Sequence, residues 1–217
     1  EFSKDNAGIK VTPIYAGSYQ DTIVKALTAH KAGNPPVTSV LLSTDMFTLI
    51  DEDAIVPIDN FVKTADDKAW LGGFYKAFML NSQSGGKTWG VPFQRSTVVL
   101  YYNKELFKAA GLDPNKPPTT WPELVSAAAK LKASGYACPF TTSWQGWTQL
   151  ESFSTWHNTE FATKNNGFGG PSARLAFDTP LHLRHIENLA NMAKQGLFVY
   201  KGRGNAGDAP FYSGECA

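Results

Sequence analysis

The sequence holds little that would mark a reactive protein. Cysteine is nearly absent: Cys138 and Cys216 are the only two in 217 residues. No CxxC and no zinc-type spacing exists. A single pair is compatible both with one structural disulfide in an oxidising space and with two buried thiols in the cytosol. Histidine is scarce too, with His30, His157, His182 and His185. His182 and His185 stand three apart on one predicted helix, a spacing a metal site can use. A third ligand is missing nearby, and the polar neighbours Arg184 and Asn188 point to a solvated face. There is no GxSxG elbow, no P-loop, no GxGxxG and no HExxH. Asp51-Glu52-Asp53 and Asp66-Asp67 read as surface loops, not as a glycosidase carboxylate pair. An excess of one charge is also lacking, since 20 Lys+Arg face 19 Asp+Glu for a net charge of +1. Without a like-charged block, nothing suggests a nucleic-acid or anionic-membrane partner. No apolar run reaches the length of a membrane span. These absences favour a binding module over an enzyme, with no cofactor and no metal.

What is present is core-forming and aromatic. Hydrophobic residues make up 42% and charged residues 18%, which suits one large domain or two lobes of about 100 residues each. Aromatic residues reach 13%, with six Trp and eight Tyr, and such rings hold polar but CH-rich small molecules. The opening residues, from Glu1 to Lys4, read as the tail of a helix. Gly8–Ile14 alternates like a strand, Tyr19–Ala32 has helical spacing, and Gly33-Asn34-Pro35-Pro36 stops it. Val37–Leu42 is a short apolar run of the kind expected of a buried parallel strand. Met46–Asp51 follows as a helix. This order argues for an α/β architecture with a mainly parallel sheet.

Beyond the glycine turn Gly85-Gly86, extended character continues through Tyr102 and reads as a crossover between two lobes. Thr120 and Glu123 form a capping box with Pro122 in the first turn, opening a helix whose apolar stripe is Trp121, Leu124, Ala128 and Leu131. Tyr136–Phe140 reads as a strand. Trp144 and Trp147 stand three apart at a helix entrance, so both rings can look to one side. Residues 179–195 form a helix with Leu183, Ile186, Leu189 and Met192 at three-residue steps.

Three stretches together carry a resemblance: Leu100-Tyr101-Tyr102-Asn103-Lys104-Glu105-Leu106-Phe107, then Ala110-Gly111-Leu112-Asp113, then Pro117-Pro118-Thr119-Thr120-Trp121-Pro122-Glu123-Leu124. With Gly86-Lys87 and Gly90-Val91-Pro92 ahead of them, they resemble the signature of the family 1 extracellular solute-binding proteins of ABC importers. Within that family the likeness runs to its glycerol-phosphate-binding members. It is carried by Gly17-Ser18-Tyr19, Pro92-Phe93 with Ser96-Thr97, Ser143–Trp147 with Gln149–Glu151, Lys164–Phe168, and Phe211-Tyr212 with Cys216-Ala217. The likeness covers the middle half of such a chain, with a first strand and helix expected ahead and the rest of the second lobe behind.

The resemblance implies a two-lobe, type II-like periplasmic binding protein, here incomplete at both ends. Residues 1–94 would belong to the first lobe, 95–102 to the hinge, and 103–217 to part of the second. It implies a monomer in the periplasm, or tethered outside the membrane, that delivers a small molecule to an inner-membrane ABC permease. It also implies a Cys138–Cys216 disulfide within the second lobe.

The ligand would be glycerol-3-phosphate or a glycerophosphodiester. A sugar or oligosaccharide is the alternative within the family, and a periplasmic glycan-acting hydrolase is the alternative of another class. By resemblance, Tyr19 at a helix N-terminus meets the glycerol end of the ligand, although such a Tyr is commonly surface. Trp144 and Trp147 line the pocket, against the reading of two core tryptophans. Ser96 offers a hydroxyl and an N–H to phosphate. Arg95 beside it is a fork for phosphate or, on the opposite side of the strand, a hinge salt bridge. Ser43-Thr44-Asp45 matches an acidic site for glycerol hydroxyls, with Asp45 either accepting from them or capping a helix.

Overall fold

A computed structural model describes residues 2–217. The chain divides into two compact units, the first running to Ser96 and the second spanning Thr97–Ala217.

In the first unit, the Tyr19–Lys31 helix is opened by a reciprocal capping box. The Ser18 hydroxyl accepts the Asp21 N–H at 3.2 Å, and the Asp21 carboxylate accepts the Ser18 N–H at 2.9 Å. Thr64 and Asp67 repeat the device at the Ala65–Gly72 helix. Each box satisfies donors that a helix start otherwise leaves orphaned. A tight 3₁₀ turn, Ser43–Asp45, runs directly into the Met46–Asp51 helix, whose Met46 and Leu49 are buried. Gln83–Ser84 pairs antiparallel with Lys87–Thr88 around Gly85 and Gly86, both at positive φ. Two successive positive φ values suit a tight hairpin turn, and glycine adopts them without a Cβ penalty. Asp59 anchors this hairpin by accepting the Thr88 N–H at 2.7 Å.

The strands expected at Gly8–Ile14 and Val37–Leu42 are not formed, and neither is a mainly parallel sheet among the described residues. Both segments are irregular. Ile9, Val11 and Val40 are exposed, and Val37 is fully so. An apolar run becomes a strand only beside a partner that takes up its N–H and C=O groups, and none lies there among the described residues.

The second unit is built around the Trp121–Ala133 helix. Its Thr120–Glu123 capping box and Pro122 match the expectation, and Ala127, Ala128 and Leu131 are buried. One side packs with Phe140, Leu189, Met192 and Leu197, the other with Phe107, Tyr102 and Leu106. Phe140 accepts the Val199 N–H at 2.8 Å, and Cys138 accepts the Ala217 N–H at 3.1 Å. Cys138 and Cys216 thus form an isolated parallel bridge. They are also joined by a disulfide, with both residues essentially inaccessible to solvent.

The Pro180–Lys194 helix turns a different face inward from the one its leucines suggested. Leu183 and Ile186 are exposed, while His182, His185, Leu189 and Met192 are buried. The expectation of solvated histidines is therefore corrected. Burial is tolerated because both rings are bonded. His182 Nε2 meets Ser154 Oγ at 2.8 Å and its Nδ1 meets Thr179 Oγ1 at 2.7 Å. His185 Nε2 meets Gln149 Oε1 at 3.0 Å.

Candidate functional site

The tryptophan pair of the second unit sits in an unusual backbone. Trp144 has φ of 51°, the left-handed region, which costs a residue with a Cβ about 1 kcal/mol. It lies just ahead of the helix, so the helical i, i+3 relation to Trp147 expected from spacing does not apply. Trp147 opens a π-helical turn, Trp147–Glu151, that leads into the Ser152–Trp156 helix. Both indoles are half-buried, so neither is a core ring.

Hydrogen bonds hold the Trp144 turn from several sides. Its N–H donates to the Gly204 carbonyl at 2.7 Å, and its own carbonyl accepts the Thr148 N–H at 2.8 Å and the Thr148 hydroxyl at 3.0 Å. The Gln145 amide donates to the carbonyls of Thr142 and Gly202, both at 2.9 Å. The Ser143 hydroxyl donates to Asp208 at 2.5 Å. A Cβ on Gly207 would stand 2.8 Å from the Ser143 hydroxyl and 3.1 Å from the Thr142 carbonyl. Only glycine lets the 202–208 loop approach this closely. A strained residue persists where its surroundings over-determine it, and such residues cluster at binding sites.

The remaining candidates lie in the first unit. Tyr19, half-buried at the start of its helix, accepts a hydrogen bond on its hydroxyl from the Gln94 amide at 2.6 Å. That bond joins Tyr19 to the segment carrying Arg95 and Ser96. Ser96 is exposed and its hydroxyl makes no hydrogen bond among the described residues. Arg95 forms no salt bridge among the described residues. Its guanidinium donates to the carbonyls of Phe78 at 2.5 Å and Gln94 at 3.1 Å, and lies 6.0 Å from the Phe78 ring centroid. Ser43 and Asp45 share the 3₁₀ turn. Asp45 occupies the cap position of the Met46–Asp51 helix without a side-chain cap bond. Burial raises its carboxyl above the usual range, with a Leu42 backbone hydrogen bond opposing. A half-buried carboxylate spared from capping suits it to accept hydroxyl hydrogens. Among the described residues, no group of three His, Cys, Asp or Glu is placed to hold a metal ion.

Sequence reasoning missed the groups that brace these residues: Gln94 behind Tyr19, and Gln145, Gln149 and Asp208 behind the tryptophans. The glycine-dense stretch from Gly202 to Gly207 was the available signal, since close backbone approach is a reason for glycines to gather.

Residues 1–217 match the family model described as bacterial extracellular solute-binding protein. The chain belongs to this family. Across its whole length it is 38% identical to the family member named sn-glycerol-3-phosphate-binding periplasmic protein UgpB of Yersinia pseudotuberculosis, covering 50% of that protein. It is 40% identical to UgpB of Escherichia coli K12 over 223 residues, again covering 50%. The chain thus spans about half the length of the curated relatives it matches.

Among solved structures, UgpB from Mycobacterium tuberculosis in complex with glycerophosphocholine matches with a TM-score of 0.79 at 19% identity. The match covers 100% of this chain and 55% of that one. A Thermotoga lettingae ABC transporter solute-binding protein bound with α-D-tagatose matches with a TM-score of 0.73 at 19% identity, covering 100% and 55%. These likenesses show the α/β binding-protein fold. The family and these relatives are named for binding solutes, not for a reaction.

Proposed function

We propose that this chain carries part of the solute-catching cleft of an ABC importer, and that the solute is glycerol-3-phosphate or a glycerophosphodiester. The observation that carries the reading is the Trp144 turn, a half-buried indole locked in a strained backbone three residues ahead of a second half-buried indole. Such a rigid aromatic face grips the CH surface of a small polyol at low entropic cost. The choice of solute is supported by the 38–40% identity to proteins named for that ligand. In this reading Trp144 and Trp147 cover the carbon skeleton, Tyr19, Ser43 and Asp45 take the hydroxyls, and Ser96 donates to phosphate. Arg95 braces the segment through Phe78 and adds positive charge nearby.

Residues 1–94 form one lobe, 95–102 the crossover, and 103–217 part of the second lobe. The protein works as a monomer in the periplasm and hands its solute to an inner-membrane permease, without catalysis and without nucleic acid. Calorimetry on the product of the gene tests this with glycerol-3-phosphate, glycerophosphocholine, glycerol and maltose. Saturable binding of the two phosphorylated ligands, with glycerol and maltose silent, is expected. Binding of maltose alone would move the protein to the sugar-binding members, and release of a product would make it an enzyme.

A further inference from the structure

The second unit buries a line of polar side chains that stand behind the candidate site. His185, 5% exposed, stacks on Phe153 at a centroid distance of 3.9 Å and meets the Trp121 ring at 5.0 Å. Burial, then the neighbouring His157 and His182, push its pKa down to about 4, so the ring is neutral at physiological pH. A neutral ring has one N–H to give. Its Nε2 lies 3.0 Å from Gln149 Oε1, an atom that only accepts, so Nε2 is the donor. This fixes the amide the other way round, and Gln149 Nε2 donates to Thr142 Oγ1 at 3.1 Å. Thr142 Oγ1 lies 3.2 Å from Thr148 Oγ1. The Thr148 hydroxyl in turn reaches the carbonyls of Ser143 at 2.9 Å and Trp144 at 3.0 Å. Gln149 belongs to the π-helical turn Trp147–Glu151, a local widening found frequently at functional sites.

We propose that Gln149 is a positioning residue for the Trp144 indole: held by His185 on one side and Thr142 on the other, it fixes the left-handed turn that aims the ring. The proposal rests on the ligand-facing role given to Trp144 above, but the orientation of the ring can be tested without ligand.

The first readout is the indole N–H resonance of Trp144 in the ligand-free gene product, assigned by its loss in Trp144→Phe. Gln149→Leu cuts both hydrogen bonds at similar volume, and Thr142→Val breaks the line from the other end should the first variant fold poorly. Both are expected to shift and broaden that resonance. The second readout is affinity for glycerol-3-phosphate. Gln149→Leu is expected to weaken it about tenfold in the parent protein and less than about twofold in a Trp144→Ala background, since a residue acting through the ring has nothing to act through once it is gone. An unmoved resonance in both variants, or an equal loss of affinity in both backgrounds, overturns the proposal. If the resonance moves while Trp144→Ala leaves affinity intact, the positioning stands and the ligand assignment fails.

Discussion

Acid should destabilise the second unit through one buried ring. His185 has a pKa of about 4 in the folded chain against an ordinary value of 6.5, because burial penalises its cation and because the neighbouring His157 and His182 disfavour a further positive charge. The unfolded chain therefore takes up a proton that the folded chain refuses. The stabilisation is fully present above about pH 6.5 and is lost as pH falls toward 4. The gap corresponds to about 3 kcal/mol in all, and about 2 kcal/mol of it is gone by pH 5. His185→Gln supplies the comparison, as it keeps an amide donor for Gln149 but cannot titrate. Urea unfolding of parent and variant across pH 7.5 to 4.5, with the disulfide intact, measures the difference. The parent should lose stability relative to the variant through that window. A difference that stays flat across it would refute the claim that His185 is buried and neutral.

Trp144→Gly should weaken glycerol-3-phosphate binding about tenfold, as a stacking face is lost. Thermal unfolding should occur at the same temperature or higher, because glycine relieves the left-handed backbone; a clear fall in melting temperature would mean the ring is core. Replacing Cys138 and Cys216 together by Ala should cost about 4 kcal/mol of unfolding free energy, the loop-entropy value for a closure of this length. Urea titration checks this, and two reactive thiols in the unfolded, unreduced parent would contradict the bridge itself.

What could be read from residues alone was local. The Trp121–Ala133 helix is announced by Thr120, Pro122 and Glu123 within one turn, and two residues of the stripe expected from spacing, Ala128 and Leu131, are buried. The family signature between Leu100 and Leu124 is likewise contiguous. The failures are non-local. Val37–Leu42 has the composition of a strand, but pairing is decided by a neighbour that composition cannot name. His182 and His185 looked solvated because the groups that satisfy them, Ser154 and Gln149, lie 28 and 36 residues away. Trp144 was recognisable as a candidate, yet its left-handed backbone was not. That conformation depends on Gly204 and Thr148, and tryptophan is among the residues least expected to adopt it.

The Cys138–Cys216 bond also has a topological consequence. It closes a ring of chain with a sequence separation of 78, and Trp144, Trp147, Gln149, His185 and the 202–208 loop all lie on that ring. A protease that cuts once anywhere between residues 139 and 215 therefore opens the ring without dividing the molecule. The two pieces remain one covalent species, held by a bond whose cysteines are essentially inaccessible to solvent in the uncut chain. Nicking in a protease-rich, oxidising compartment would then show on a reducing gel and be invisible on a non-reducing one.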